Sequence, residues 1–153
     1  RLSPEYRREV NHLAIDIANQ RRLSSIQNNW TALIKELQVE GTTIDISSLV
    51  QLVLHDSYEE TQAIVDRHAA KVQHYNEMKS RVRSQIEQAK AQKWEASQIA
   101  TMEAVLSTIG DDAQLANIDL QNALQKQQQT LQTMSNVSKM LNDTAMAIVR
   151  KVG

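Results

Sequence analysis

The sequence predicts an all-α fold: an elongated antiparallel three-helix coiled-coil hairpin or bundle with a long central helix. The 153 residues include only 3 Gly and 1 Pro, so few residues favour turns. Phe is absent and aromatic residues make up 3% of the chain, whereas hydrophobic residues make up 41%. Such a core suits helix packing better than sheet pairing, which favours aromatic and β-branched residues. We therefore expect one helical coiled-coil domain over residues 1–153.

The first helix is expected over residues 4–40. Ser3 is a suitable N-cap and Pro4 suits the first helical position. Gly41 then reads as the residue just after the helix end, and Asp45 or Thr43 as the cap of the next helix. The apolar pattern of this first helix changes phase near residues 20–22, which indicates a discontinuity.

The second and third helices are expected over residues 45–108 and 112–151. Gly110 followed by Asp111 and Asp112 repeats the pattern of a glycine stop and a capping aspartate. The alternative is a break near residues 92–98, around Trp94, where the apolar pattern is weak. That break would give a shorter four-helix object.

Apolar residues at spacings of 3 and 4 predict coiled-coil seams in the later helices. The second helix shows one from Val72 to Ala89, and the third shows one from Ala113 to Val152 with Asn117 and Gln127 as polar members. A polar seam residue either sets register and oligomeric state or lies beside an exposed stretch. We expect the seam of the third helix to form an interface, with these residues: Leu120, Leu124, Gln127, Leu131, Met134, Leu141 and Ile148.

Charge is distributed unevenly, although the formal net charge is only -1. The second helix is rich in Lys, Arg, Asp and Glu, whereas residues 113–142 contain only Asp119, Lys126 and Lys139 as charged residues and many Gln and Asn. A neutral amide-rich face costs less to desolvate than a charged one. It either contacts neighbouring subunits or is an ordinary solvated surface of good helix formers.

The last segment, residues 143–152, is apolar on several faces and ends in Arg150 and Lys151. It suits insertion among partner helices or, as the alternative, contact with a membrane surface. No apolar run approaches the roughly 20 residues of a membrane span. Without Cys or a classical signal peptide, we expect a cytoplasmic protein or one exported without such a signal.

The composition argues against most catalytic and cofactor chemistry. The absence of Cys removes thiolate nucleophiles and Cys-based metal sites, and the scattered glycines form no phosphate-binding loop. There is no basic excess for nucleic acid. One Glu-x-x-His motif, Glu9 to His12, occurs without the second that a di-iron bundle needs. His55 and Glu59 suit a helix-surface pair. We expect no enzyme, no cofactor and no metal, with a helical enzyme or metal carrier that uses Glu9 and His12 as an alternative.

Residues 119–152 read DLQNALQKQQQTLQTMSNVSKMLNDTAMAIVRKV. This charge-poor heptad helix with an apolar, basic tail resembles the C-terminal helices of needle, filament and tip subunits of bacterial type III secretion systems. The resemblance implies a subunit that polymerises, or caps an extracellular filament, through its terminal helix. Needle subunits differ in being short two-helix hairpins with a Pro-containing turn, whereas the turns expected here carry Gly.

We therefore expect a non-enzymatic structural protein that self-associates, or binds another coiled-coil protein, through its charge-poor C-terminal helix. Leaving several Leu and Ile of the seam in water would cost several kcal/mol, at about 25 cal/mol per Å². The alternatives are a chaperone-like module that holds a partner helix, and a membrane-active helical protein.

Overall fold

The computed structural model describes residues 2–41 and 45–152, which fold into four α-helices. Helix α1 spans Pro4–Ala18, α2 spans Leu23–Val39, α3 spans Ile46–Ala91 and α4 spans Ala96–Val152. The described residues contain no β-strand. The all-helical class is confirmed and the packing is compatible with a helical bundle, but the expected count of three helices is wrong.

The chain divides into two compact units. Unit 1 comprises Arg1–Ala63 and Lys126–Gly153, and unit 2 comprises Ile64–Gln125. Helices α1 and α2 thus belong wholly to unit 1, whereas each unit contains a part of α3 and of α4.

Unit 1 is a four-helix arrangement around an apolar core. Trp30 is its largest fully buried side chain, and its Nε1 donates a 2.9 Å hydrogen bond to the carbonyl oxygen of Leu141. This bond joins α2 to α4 at the centre of the core. The core residues come from all four helices: Tyr6, Val10, Leu13, Ile17, Ile26, Trp30, Leu33, Ile34, Leu37, Leu49, Val50, Val53, Val137, Leu141 and Ala145.

Unit 2 contains only two helical segments, and its core is correspondingly small. The predicted seam of α3 is present, with Ile86 and Ala89 buried and Val72, Tyr75 and Val82 partly buried. The buried residues contributed by α4 are mostly alanines: Ile109, Ala113, Ala116 and Ala123.

Three of the predicted helix boundaries are confirmed. The Ser3 hydroxyl accepts a bond from the backbone N–H of Tyr6, and Pro4 begins α1. Gly41 follows the end of α2 with φ +67°, the left-handed region that glycine adopts without strain. The Asp45 carboxylate accepts from the backbone N–H of Ser47 at the start of α3. The alternative cap, Thr43, lies outside the described residues.

The expected first helix is two helices, because the chain turns after Ala18. Gln20 has φ 55°, its N–H bonds to Ile17 O, and Arg21 N–H bonds to Asp16 O. These two bonds form the Schellman motif, in which glycine is the usual left-handed residue. The phase shift near residues 20–22 therefore marks a helix end.

A second motif of the same kind ends α3, within the alternative range of residues 92–98. Lys93 has φ 58°, its N–H bonds to Lys90 O, and Trp94 N–H bonds to Ala89 O. The expected continuous helix over residues 45–108 is therefore wrong. The helix ends were predicted from glycine residues. At these two turns, Gln20 and Lys93 adopt the left-handed conformation that glycine usually adopts.

The expected stop at Gly110 is also wrong, since α4 continues through it without a break. A mid-helix glycine costs only about 1 kcal/mol relative to alanine. Ile109, Ala113 and Ala116 are all buried on one face of the helix, so burial continues in phase across this position. Packing on both sides of Gly110 outweighs its weak helix preference.

Candidate assembly surface on helix α4

The buried face of α4 follows two heptad series. One series is the predicted one: Ala113, Leu120, Gln127, Met134, Leu141 and Ile148, all buried or partly buried. The other consists of Ala116, Ala123, Thr130 and Val137, all buried. Small residues predominate in the second series, which allows the neighbouring helices to approach closely.

The other half of the predicted seam lies one residue further along, and it faces outward at its first three positions, residues 117, 124 and 131, whereas Ser138 is partly buried and Ala145 is fully buried. Leu124 is 46% exposed and Leu131 is 40% exposed, and Asn117 is exposed as well. Of the seven expected interface residues, the structure buries Leu141 fully and covers four partly: Leu120, Gln127, Met134 and Ile148. Leu124 and Leu131 are left available to a partner.

Other large apolar side chains of α4 are exposed without having been predicted. Leu115 is 60% exposed, and Ile118 and Val105 are about half exposed in unit 2. Met146 and Val149 are exposed in unit 1. Their positions do not match the seam spacing, and that is why the periodicity pattern missed them.

The polar seam residue Gln127 is held inside unit 1. Its Nε2 donates to Thr61 Oγ1 at 3.4 Å and to Gln62 Oε1 at 3.1 Å. Nearby, Gln20 Nε2 donates to Lys126 O and to Thr130 Oγ1, both at 3.1 Å. These bonds tie α4 to α3 and to the turn after α1. Gln127 thus has polar partners within its own chain.

A groove of about 780 Å³ lies between α2 and the end of α4 in unit 1. Its apolar floor includes Ala147 and Ile148, and Val39 at its edge is 88% exposed. Lys35, Lys151 and Asp143 are the charged residues that line it. This groove was not predicted, because it arises from the pairing of α2 with α4.

His55, Asp56 and Glu59 form the one cluster of potential metal ligands within residues 2–41 and 45–152. His55 Nδ1 lies 3.5 Å from Asp56 Oδ1, and His55 Nε2 lies 3.4 Å from Glu59 Oε1. Arg7 Nη2 also lies 3.4 Å from Asp56 Oδ2. The two ring nitrogens thus face different carboxylates, and Arg7 already supplies a cation. This arrangement favours a surface charge network, and it includes the expected His55–Glu59 pair.

Carboxylates also gather where α1 and α2 pack together. Burial raises the pKa of Glu9 above its ordinary range, and the charges of Glu36 and Glu5 raise it further. Glu9 Oε2 is buried without a hydrogen-bond partner among the described residues. A hydrogen bond to Glu40, with burial and the neighbouring carboxylates, raises the pKa of Tyr6 to about 12.

His12 does not join Glu9 in a metal cluster. Both line a small cleft between α1 and α2, together with Asp16. Among the described residues, however, the ligand atoms of Glu9 and His12 do not come together with those of a third potential ligand. The cluster of three potential ligands among the described residues is instead formed by His55, Asp56 and Glu59.

Comparison with known proteins gives no relative for this chain. No protein family, no curated protein sequence and no solved structure matches it. Among the described residues, no helix combines the length and the apolar character needed to cross a bilayer.

Proposed function

We propose that this protein is a non-enzymatic helical subunit that self-associates through α4. The observation that carries the proposal is the exposure of large apolar side chains along a helix that has few charges. Leu124 and Leu131 are seven residues apart, so they share one face of α4. Exposed apolar surface of this extent commonly marks an interface.

The neutral surroundings of these leucines support the same function. Gln121, Gln125, Gln128 and Gln132 are exposed neighbours on α4. Amide side chains cost less to bury than charged ones, and they can pair with one another across an interface. In the assembly, Leu124 and Leu131 act as knobs of a coiled coil formed with the α4 of a second copy.

The resemblance of residues 119–152 to type III secretion subunits extends this proposal. On that basis, the assembly belongs to the class of bacterial secretion needles, filaments and tips, in which the terminal helix joins the subunits. The subunit binds no cofactor, and its partners are copies of itself or other helical proteins.

The test is sedimentation velocity over a dilution series of the full chain. The wild-type chain should assemble as its concentration rises, and the double variant Leu124→Gln/Leu131→Gln should remain monomeric over the same range. Leu23→Gln is the matched control, because Leu23 is also about half exposed but lies on α2. A wild-type chain that stays monomeric at high micromolar concentration contradicts self-association.

A second candidate function is suggested by the groove between α2 and α4. A groove of about 780 Å³ with an apolar floor suits the docking of a partner helix, as in a chaperone-like module. In that case Ala147→Glu, which puts a charge on the floor, abolishes a 1:1 complex with the partner. The same variant leaves self-association through Leu124 and Leu131 unchanged, so the two functions can be separated.

A further inference from the structure

The contact between α1 and α2 in unit 1 brings acidic side chains of the two helices together. The Tyr6 hydroxyl forms a hydrogen bond with the Glu40 carboxylate, and the Glu9 carboxyl faces that of Glu36. Tyr6 and Glu9 lie about one turn apart on α1, as Glu36 and Glu40 do on α2, so the two contacts are successive steps between antiparallel helices. Each contact thus places a carboxylate of α2 against a polar group of α1.

The two contacts differ in whether a hydrogen-bond donor is present. Tyr6 is buried, and its hydroxyl donates to the Glu40 carboxylate. Glu9 Oε2 is buried as well, but it has no hydrogen-bond partner among the described residues. An ionised carboxylate accepts hydrogen bonds and donates none, so Glu9 and Glu36 cannot satisfy each other while both are ionised. A single proton held between them supplies the missing donor.

The groups around Glu9 favour such a proton. Burial is the main cause that raises the pKa of Glu9, and the charges of Glu36 on α2 and Glu5 on α1 raise it further. Glu36 is exposed and stays hydrated, so Glu9 is the member of the pair that gains most from the proton. Two more titratable groups, His12 and Asp16, line the cleft beside Glu9. A protonated His12 attracts the Glu9 carboxylate and opposes proton binding, so its effect has to be separated by experiment.

We propose that Glu9 and Glu36 share one proton across the α1–α2 contact, so that acid tightens this contact and neutral pH loosens it. The ionised pair leaves two carboxylates facing each other, with one oxygen buried. The protonated pair replaces this repulsion by a charge-assisted hydrogen bond between the helices. This inference goes beyond the proposed self-association and is independent of it, because Leu124 and Leu131 lie on α4.

The first experiment follows the titration of the Glu9 side-chain carboxyl by NMR in the full chain. The pKa of Glu9 should lie above its ordinary range in the wild-type chain and should fall toward that range in Glu36→Gln, because the amide is uncharged and can donate to Glu9. Glu5→Gln is the matched comparison, since it removes the other nearby charge but no shared proton, and it should lower the pKa less. An unchanged pKa in Glu36→Gln, or an equal fall in the two variants, refutes the shared proton.

The second experiment measures urea unfolding at pH 7 and pH 4 through the fluorescence of Trp30, which is fully buried in unit 1, in a Trp94→Phe background. At pH 7, Glu9→Gln and Glu36→Gln should each lower the equilibrium constant for unfolding about two- to fivefold, because each removes one of two facing charges. The double variant should gain no more than Glu9→Gln alone, since both changes remove the same repulsion. At pH 4 all three variants should lie within about twofold of wild type, because the wild-type pair then holds its proton.

Asp143→Asn is the matched control, because it removes one carboxylate charge from an exposed site of unit 1 on α4. It should stay within about twofold of wild type at both pH values. Circular dichroism verifies that each variant is helical. In a His12→Gln background, the gain of Glu9→Gln at pH 7 should persist. If the gain disappears in that background, or if it has the same size at pH 4 and pH 7, the proton-dependent contact is refuted.

Discussion

Replacing Leu141 or Leu131 by alanine tests which face of α4 belongs to the core of unit 1. The two changes remove the same atoms from the same helix. Leu141 has no exposed surface, whereas Leu131 is 40% exposed. We expect Leu141→Ala to lower the free energy of unfolding by about 3 kcal/mol, because it removes buried methyl groups and leaves a cavity. Leu131→Ala should cost about 1 kcal/mol, since its side chain is only partly withdrawn from water.

The assay is urea unfolding followed by the fluorescence of Trp30, in a Trp94→Phe background. Trp30 is fully buried in unit 1, so its emission reports the unit that contains both leucines. Trp94 is 48% exposed, so its replacement should perturb the fold little. A difference of about 2 kcal/mol corresponds to about 4–8 °C in melting temperature for a chain of this size. The measurements should be made at the lowest protein concentration that gives a signal, because assembly then contributes least to the measured stability.

Equal losses for the two variants, or a larger loss for Leu131→Ala, would refute the assignment of Leu131 to the outer face. In sedimentation velocity, the two variants should show the reverse order of effects on assembly. Leu131→Ala is expected to weaken assembly while the subunit stays folded, and Leu141→Ala to destabilise the subunit itself.

Three further predictions concern helix ends and charge. Gly41→Ala should destabilise by about 1 kcal/mol because φ is +67°, whereas Gly110→Ala should stabilise by about 0.5–1 kcal/mol because Gly110 lies in a helix with open space around it. Lys93→Gly should stabilise by up to about 1 kcal/mol, since it relieves a left-handed lysine. Thermal melts measure all three variants. Glu9→Gln should be more stable than wild type at pH 7 and equal to it in acid, as measured by urea unfolding at several pH values.

The direction of the stability change expected for Glu9→Gln follows from the raised pKa of Glu9. The folded chain holds the Glu9 proton more tightly than the unfolded chain, so this group favours folding below the ordinary pKa of glutamate. That contribution is lost as the pH rises through the raised pKa. If the wild-type chain were more stable than Glu9→Gln at pH 7, this reasoning would be contradicted. For the glycines, the result that would contradict the structure is a lower stability of Gly110→Ala, because it would indicate a helix end at Gly110.

The sequence predicted the helical class and most of the buried positions because both depend on local periodicity. Ala89, Ala113 and Leu141 all lie at predicted seam positions and are all buried. A spacing of 3 and 4 identifies a helix face even where the helix boundaries are wrong. The starts of α1 and α3 were also predictable, because the Ser3 and Asp45 caps act through bonds to backbone only a few residues away.

The helix ends were less predictable. Gln20 and Lys93 occupy left-handed positions at a cost of roughly 1 kcal/mol each, and nothing in their side chains signals it. Gln20 is held by two hydrogen bonds to α4, a long-range interaction that a local pattern does not contain. The weak apolar pattern around Trp94 was a usable signal, and it favoured the alternative boundary.

Only part of the candidate surface on α4 was predicted correctly, because periodicity does not determine which flank of a seam is buried. The series that contains Leu120 and Leu141 has a second apolar series on each of its two flanks. The flank with the larger residues, Leu124 and Leu131, was predicted to be buried. Along this part of α4 the structure instead buries the other flank, which contains Ala116 and Ala123. Close helix packing can favour small residues, so size and hydrophobicity alone do not identify the buried face.

The position of the second turn also determines which charged residues meet. With a helix over residues 45–108, Lys90 and Glu103 would lie on one helix, about 20 Å apart. The turn at Lys93 instead places Glu103 on α4, where its Oε1 lies 3.5 Å from Lys90 Nζ of α3. A left-handed lysine costs about 1 kcal/mol there. Its consequence is a hairpin in which an ion pair near the turn joins α3 to α4.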